Sequence, residues 1–172
     1  LITGSTYYYK ITAYALNGTE KAFNGYSSYL SAKPMPSTPA AAAQSAGCYS
    51  IAVSWGAISG ATKYEIWRCD SIDGEYAKAG ETTAAVTSFT DTNLTTKKTY
   101  YYKVVAYHLE GTAKIYSDYS EAISAAALPV TPVAKAEKIS YNSIKISWNS
   151  VADVDGYFIT DENDTFIKDT TD

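Results

Sequence analysis

The sequence predicts an all-β fold made of repeated units, each a seven-stranded antiparallel β-sandwich, and three observations lead there. Two unrelated phrases recur at one offset: Thr-Tyr-Tyr-Tyr-Lys at 6–10 and 99–103, and Ser-Ile-x-x-Ser-Trp at 50–55 and 143–148, each pair 93 residues apart. A fixed period of this kind marks a tandem array of small units. Short runs alternate apolar and polar residues, and no segment of the unit sustains the apolar period of a helix. Tyrosine is abundant, at 17 of 172 residues, and it favours strands where one ring face packs and the hydroxyl reaches water.

Each element of the unit follows from its residues. At 51–55, Ile51, Val53 and Trp55 alternate with Ala52 and Ser54, which describes a strand with one buried face. A turn containing Gly60 leads to 64–68, where Tyr64, Ile66 and Arg68 share one side and Glu65 and Trp67 the other. Asp70 to Gly74 is a turn, since Asp and Gly tolerate the backbone angles that turns need. Residues 76–79 and 87–90 read as short strands, and Leu94 leads into the strongest strand, 99–107. A hairpin tip at Glu110 and Gly111 returns the chain as one strand over 115–124. The alanine tract at 40–43 follows Pro34, Pro36 and Pro39 and lies close to Gly47, so it reads as a short first strand or a linker rather than a helix.

Proline also marks the joints. Thr38-Pro39 and Thr131-Pro132 match at the 93-residue offset, and prolines at such joints stiffen the chain and stop sheet pairing. The expected division is 1–33, the last two strands of a unit; 34–128, a complete unit with a proline-rich leading linker; and 129–172, the first strands of a third. Residues 131–172 then align with 38–79, with the fourth strand ending near Asp172. The chain is expected to be a stretch of a longer array, so its lack of an export signal carries no information. Strands at the ends would be less ordered than 37–128, or would borrow strands from a neighbouring copy.

These residues resemble the fibronectin type III module, an immunoglobulin-like sandwich. The resemblance is carried by Trp55 and Trp148 on the second strand, and by the pairs Tyr64/Ile66 and Tyr157/Ile159 on the third. It is carried also by Leu94 with Tyr100, repeated as Leu1 with Tyr7, which look like the family's leucine and tyrosine-corner residue. Tyr102, Val104 and Ala106, with Tyr9, Ile11 and Ala13, follow the family's alternating core, and Tyr116-Ser-Asp-Tyr119 and Tyr26-Ser-Ser-Tyr29 look like the opening of its last strand. In style the repeats are similar to those of secreted, cell-wall-attached proteins of Gram-positive bacteria.

Few residues of the chain offer chemistry. Net charge is −4 with no basic cluster, which disfavours nucleic acid and anionic membrane surfaces as partners, and no run of 18 apolar residues occurs to span a membrane. His108 is the lone histidine, expected as a solvated side chain after the strong strand, and no Cys-x-x-Cys motif accompanies it. Asp153-Val-Asp155-Gly156 begins like a calcium loop, but 157–159 turns into a strand before the ligand series continues, and 161–164 reads as a solvated turn. Nucleophile and phosphate-loop motifs are absent. No catalytic residue, metal or cofactor is expected.

Two residues are candidate binding positions, Trp67 and Tyr101. An outward Trp67 can stack on a sugar ring or a partner's aromatic side chain; equally, it can serve in cross-strand packing against Tyr101 or Lys103. Arg68 shares the inward side and should cover the rim of the core. Cys48 and Cys69 have Tyr141 and Glu162 as counterparts, so neither thiol belongs to the repeat; they are free, or they form a disulfide private to this unit.

The function implied is non-enzymatic: an extracellular spacer, secreted or cell-wall attached, that positions other domains and touches neighbouring modules of its own chain. The alternative is an adhesion module that binds a protein or glycan through exposed aromatics. Arg-Gly-Asp occurs nowhere in the sequence.

Overall fold

The alternation read from the sequence becomes sixteen strands and, among the described residues, no helix. The computed structural model describes residues 1–170. The strands are β1 (Tyr7–Tyr9), β2 (Tyr14–Asn17), β3 (Glu20–Phe23), β4 (Leu30–Ala32), β5 (Ala41–Ser45), β6 (Ile51–Trp55), β7 (Lys63–Cys69) and β8 (Ala77–Thr83). They continue as β9 (Ser88–Asp91), β10 (Thr99–Glu110), β11 (Ala113–Tyr116), β12 (Ile123–Ala126), β13 (Ala134–Ser140), β14 (Ser143–Trp148), β15 (Tyr157–Thr160) and β16 (Phe166–Thr170).

Between residues 41 and 126 two sheets face each other. One has the order β5-β6-β9; the other has the order β11-β10-β7-β8, with β12 also paired to β10. The alanine tract is thus a strand, its backbone paired along the whole of β6 from Ala41↔Trp55 to Ser45↔Ile51. The core between the sheets comes from the inward parity of each strand: Ile51, Val53 and Trp55 from β6, Tyr64 and Ile66 from β7, and Tyr100, Tyr102, Val104 and Ala106 from β10. Trp55 and Tyr64 bring their rings to 5.3 Å at 58°, a tilted contact that aromatic quadrupoles favour. Tyr100 turns its hydroxyl back to accept the Thr95 N–H at 3.1 Å, the tyrosine corner that the resemblance implies.

The strands on either side of β10 and β7 depart from expectation. The return strand expected over 115–124 is two strands, because β10 pairs first with β12 (Tyr102↔Ile123) and then with β11 (Tyr107↔Tyr116). Serines hold the crossing between them: Ser120 Oγ accepts the Val104 N–H and Ser117 Oγ accepts the Ala106 N–H, each at 3.0 Å. A hydroxyl that satisfies a backbone donor can replace a ladder bond, and this lets the edge bend. β8 runs to Thr83, past the expected 79, by pairing with β7 up to Lys63↔Thr83 across a bulge.

The strands outside this sandwich repeat its bonds at the 93-residue offset. Tyr7↔Ala32 in β1–β4 reproduces Tyr100↔Ala125. Tyr7 Oη accepts the Ile2 N–H at 2.7 Å, as Tyr100 accepts from Thr95. Ser27 Oγ accepts the Ile11 N–H at 3.0 Å, as Ser120 accepts from Val104. On the other side, Trp148 and Tyr157 lie 5.2 Å apart, and Tyr157 Oη accepts the Val151 N–H at 2.8 Å, matching Tyr64 and Ile58. The alignment of 131–172 on 38–79 fails after residue 160, because Tyr157 pairs with Thr170 whereas Tyr64 pairs with Thr82. A tighter turn shortens this hairpin: Asp161 Oδ1 accepts the N–H groups of both Asn163 and Thr165 at 2.9 Å. The expected strand end near Asp172 lies outside the described residues.

Candidate functional site: the outer face of the five-stranded sheet

The period of two places Lys63, Glu65, Trp67 and Cys69 of β7 on the side opposite Tyr64 and Ile66, beside Tyr101, Lys103, Val105 and Tyr107 of β10. This outer face gathers polar and aromatic side chains. Its centre is Glu65, only 4% exposed although it points away from the core. Glu65 Oε1 accepts from Lys114 Nζ at 2.7 Å, from Lys78 Nζ at 3.1 Å and from Tyr116 Oη at 3.3 Å. Glu81 completes the cluster, accepting from Lys63 and Lys78, each at 2.7 Å. Lys114 also lies over the Tyr107 ring, 4.4 Å from its centroid, and Tyr107 and Tyr116 meet at 5.4 Å.

Protonation follows from this geometry. Burial pushes the Glu65 carboxyl up, but hydrogen bonds from Lys114 and Lys78 outweigh it and hold the group below the usual carboxylate range. The Glu81 carboxyl is drawn down to about 2, chiefly by its hydrogen bond from Lys63 and then by that from Lys78. Lys114 is raised by its hydrogen bond to Glu65. A carboxylate saturated by ammonium donors and held ionised is a poor proton acceptor, so this cluster is organised for rigidity rather than for general-base work.

Trp67 and Tyr101 both lie on this face, as the alternation requires, and both are half-buried. Trp67 stands opposite Lys103 and meets Tyr119 edge-on at 6.1 Å. Its Nε1–H is buried without an acceptor, so the polar edge of the indole is turned into the sheet. Tyr101 lies opposite Cys69 and Ser124, and Lys103 Nζ sits over the Tyr76 ring at 4.5 Å. Sequence reasoning missed Glu65, Lys78, Glu81 and Lys114. Alternation alone marks Glu65 as solvated, and only the approach of β8 and β11 on either side covers it.

The remaining candidates fall elsewhere. Arg68 lies on the inward rim, its Nη1 donating to Asp91 Oδ2 at 2.9 Å beside the Tyr102 hydroxyl at 3.0 Å. His108 belongs to β10, which extends past the expected 107, and its Nδ1 donates to the Gly60 carbonyl at 2.8 Å; it is engaged rather than solvated. Cys48 and Cys69 are free thiols. Among the described residues no three His, Cys, Asp or Glu side chains converge as a metal site, and no helix is long and apolar enough to cross a membrane.

No family model and no curated protein matches the chain. Similar solved structures include a β-1,2-glucanase from Parabacteroides distasonis, 26% identical with a TM-score of 0.47 over 56% of this chain and 13% of that one. An Fn3-like protein from Clostridium thermocellum is 24% identical with a TM-score of 0.42, over 55% of this chain and 92% of that one. The FN1–FN3 domains of chicken CNTN1 are 17% identical with a TM-score of 0.47, over 91% of this chain and 56% of that one. The chain thus spans about an eighth of the glucanase's length. With these TM-scores below 0.5, the fold assignment stands on the chain's own geometry. Its facing sheets of three and five strands, the Trp55–Tyr64 contact and the Tyr100 corner make residues 41–126 an immunoglobulin-like β-sandwich, the fold that the fibronectin type III resemblance implies.

Proposed function

We propose that the chain is a non-catalytic stretch of tandem sandwich modules, divided at 1–33, 34–128 and 129–172, that works as an extracellular spacer holding other domains at a distance. One observation carries this reading: backbone pairings and side-chain hydrogen bonds, not only residues, recur at the 93-residue period on both sides of the sandwich. A unit that rebuilds the same tyrosine corner and the same Trp–Tyr contact is a copied structural module, and serial copies form a quasi-linear array. The open groove lined by Ile146, Trp148, Val151, Tyr157 and Ile159 supports the division, because the counterparts of these residues, Val53 to Ile66, are covered by β10 in the sandwich. Secretion and attachment to a bacterial cell wall accord with the style of the repeat.

Mechanical extension tests the reading. Pulling the chain from its ends should give one unfolding step of roughly 250–300 Å, the contour of the sandwich's chain released at the extended rise. Featureless extension would count against a load-bearing module. A second reading, recognition of a glycan or protein, is favoured only by the cluster of Trp67, Tyr119, Tyr76 and Tyr101 on one face. It expects Trp67→Ala to abolish capture on a glycan array while the near-ultraviolet circular dichroism of the core persists, and unchanged capture removes it.

A further inference from the structure

Two turns meet where the first strands adjoin the sandwich, and both are built on glycine in the left-handed region. Gly4 has φ +78° and Gly60 has φ +77°. A Cβ on Gly60 would lie 2.6 Å from Thr3 Cβ, and a Cβ on Gly4 would lie 2.5 Å from His108 Nε2, so neither position has room for a side chain. His108 holds the seat through its bond to the Gly60 carbonyl, and Lys33 pairs with Glu110 across the same junction. The segment between is packed as well: the Gly4 N–H donates to the Pro34 carbonyl at 3.4 Å, and Pro36 is fully buried.

The same two turns recur one period later. The counterpart of Gly4 is Lys97, at φ +62°, and that of Gly60 is Asp153, at φ +58°, two non-glycine residues that keep the same unusual backbone. Lys97 Nζ reaches Asp155 Oδ1 at 2.7 Å, so the turn before the tyrosine strand again meets the turn after the tryptophan strand of the following unit.

We propose that this turn-on-turn seat is the docking surface between consecutive modules, and that its partner is the preceding module of the same chain. The proposal rests on the array reading above and adds that successive modules have a set orientation rather than a free joint. It also separates the two joints. The first adds to its Lys33–Glu110 pair a steric contact at glycine, which salt does not screen. The second leans on an ion pair whose Asp155 side chain is 93% exposed, and such pairs are weak and are screened by added salt.

The test uses the whole chain in solution. Nuclear Overhauser contacts should link the Gly4 α-protons to the His108 ring, and amides of β1 and β4 should show hydrogen-exchange protection that depends on the joint. Gly4→Asn keeps a residue that tolerates positive φ but drives a Cβ into the imidazole. It should lower that protection about tenfold while β7 and β10 are unaffected, and adding His108→Ala should recover only part of it, since the alanine removes the clash together with the bond to the Gly60 carbonyl. Gly60→Asn, relieved by Thr3→Gly, provides the same comparison from the opposite side. Raising salt to about 1 M should let 131–170 tumble independently in relaxation measurements and leave the first joint intact. Missing contacts between Gly4 and His108, variants without effect on β1 and β4, or two joints responding alike to salt would each overturn the proposal. A surviving force step with a free joint would sink the seat and leave the spacer standing; a missing step would sink the spacer whatever the joint does.

Discussion

Asp91 shows how one residue's value depends on its surroundings. Its Oδ2 accepts from both Arg68 and Tyr102 at the rim of the core. Burial pushes the Tyr102 phenol well above its usual range, and the neighbouring Asp91 charge adds to this. The hydroxyl therefore stays a donor at any ordinary pH and satisfies a buried carboxylate. Tyr102→Phe should cost about 1.5–3 kcal/mol, the range for hydrogen bonds to charged groups. The counterpart Tyr9 is 47% exposed where Tyr102 is fully buried. Tyr9→Phe should thus change stability by less than about 0.5 kcal/mol. Urea denaturation followed by Trp fluorescence checks both, and equal effects would show that the two tyrosines do not differ as described. Sequence alone gives these tyrosines the same phrase and the same expected role, and only the packing over them separates their energetics.

At the scale of the element, β7 carries two different faces on seven residues. Its inward parity, Tyr64 and Ile66, was legible from alternation. The burial of its outward parity was not, since it needs the edges of β8 and β11, whose positions depend on long-range pairing. The Glu65 and Glu81 carboxyls are both held below their usual value of 4.5, the latter at about 2. Groups whose pKa is depressed on folding contribute stability that is fully present above the unfolded value and is lost as pH falls through the folded one. Melting temperature should accordingly be flat from neutrality down to about pH 5, then decline between 4.5 and about 2. Lys78→Ala, which removes the donor common to both carboxylates, should flatten that decline. The slope should be shallow and should shrink in salt, because these lysines are partly exposed. Other acids that titrate in this range would leave a residual slope, so the difference between the variant and the parent is the quantity that decides.

Across the whole molecule, apolar residues tell two stories. Val53 is fully buried and its counterpart Ile146 is 46% exposed, though both stand three residues after the Ser that opens the same phrase. The difference is one of neighbours: β6 lies under β10, while among the described residues β14 pairs only with β13. The extension experiment should accordingly give one step from 41–126 and none from the two-stranded pairs, which release at low force because a lone hairpin is marginal in water. Two steps of equal force would mean that the flanking strands are as cooperative as the sandwich.

The residue pattern by itself determined the strand class and the period at which phrases recur. Period-2 alternation specifies strands because side chains alternate across a pleat, and a repeated phrase at one offset specifies copies because identical local sequences meet identical local constraints. Alternation also marked the inward side of Trp55, and the family resemblance marked the tyrosine corner, which joins Thr95 to nearby Tyr100. Tertiary structure alone decided the split of the last strand at Ser117 and Ser120, the covered carboxylate Glu65, the engagement of His108 and the seat between turns. Each of these depends on contacts between residues far apart in the chain, whose partners no local pattern names.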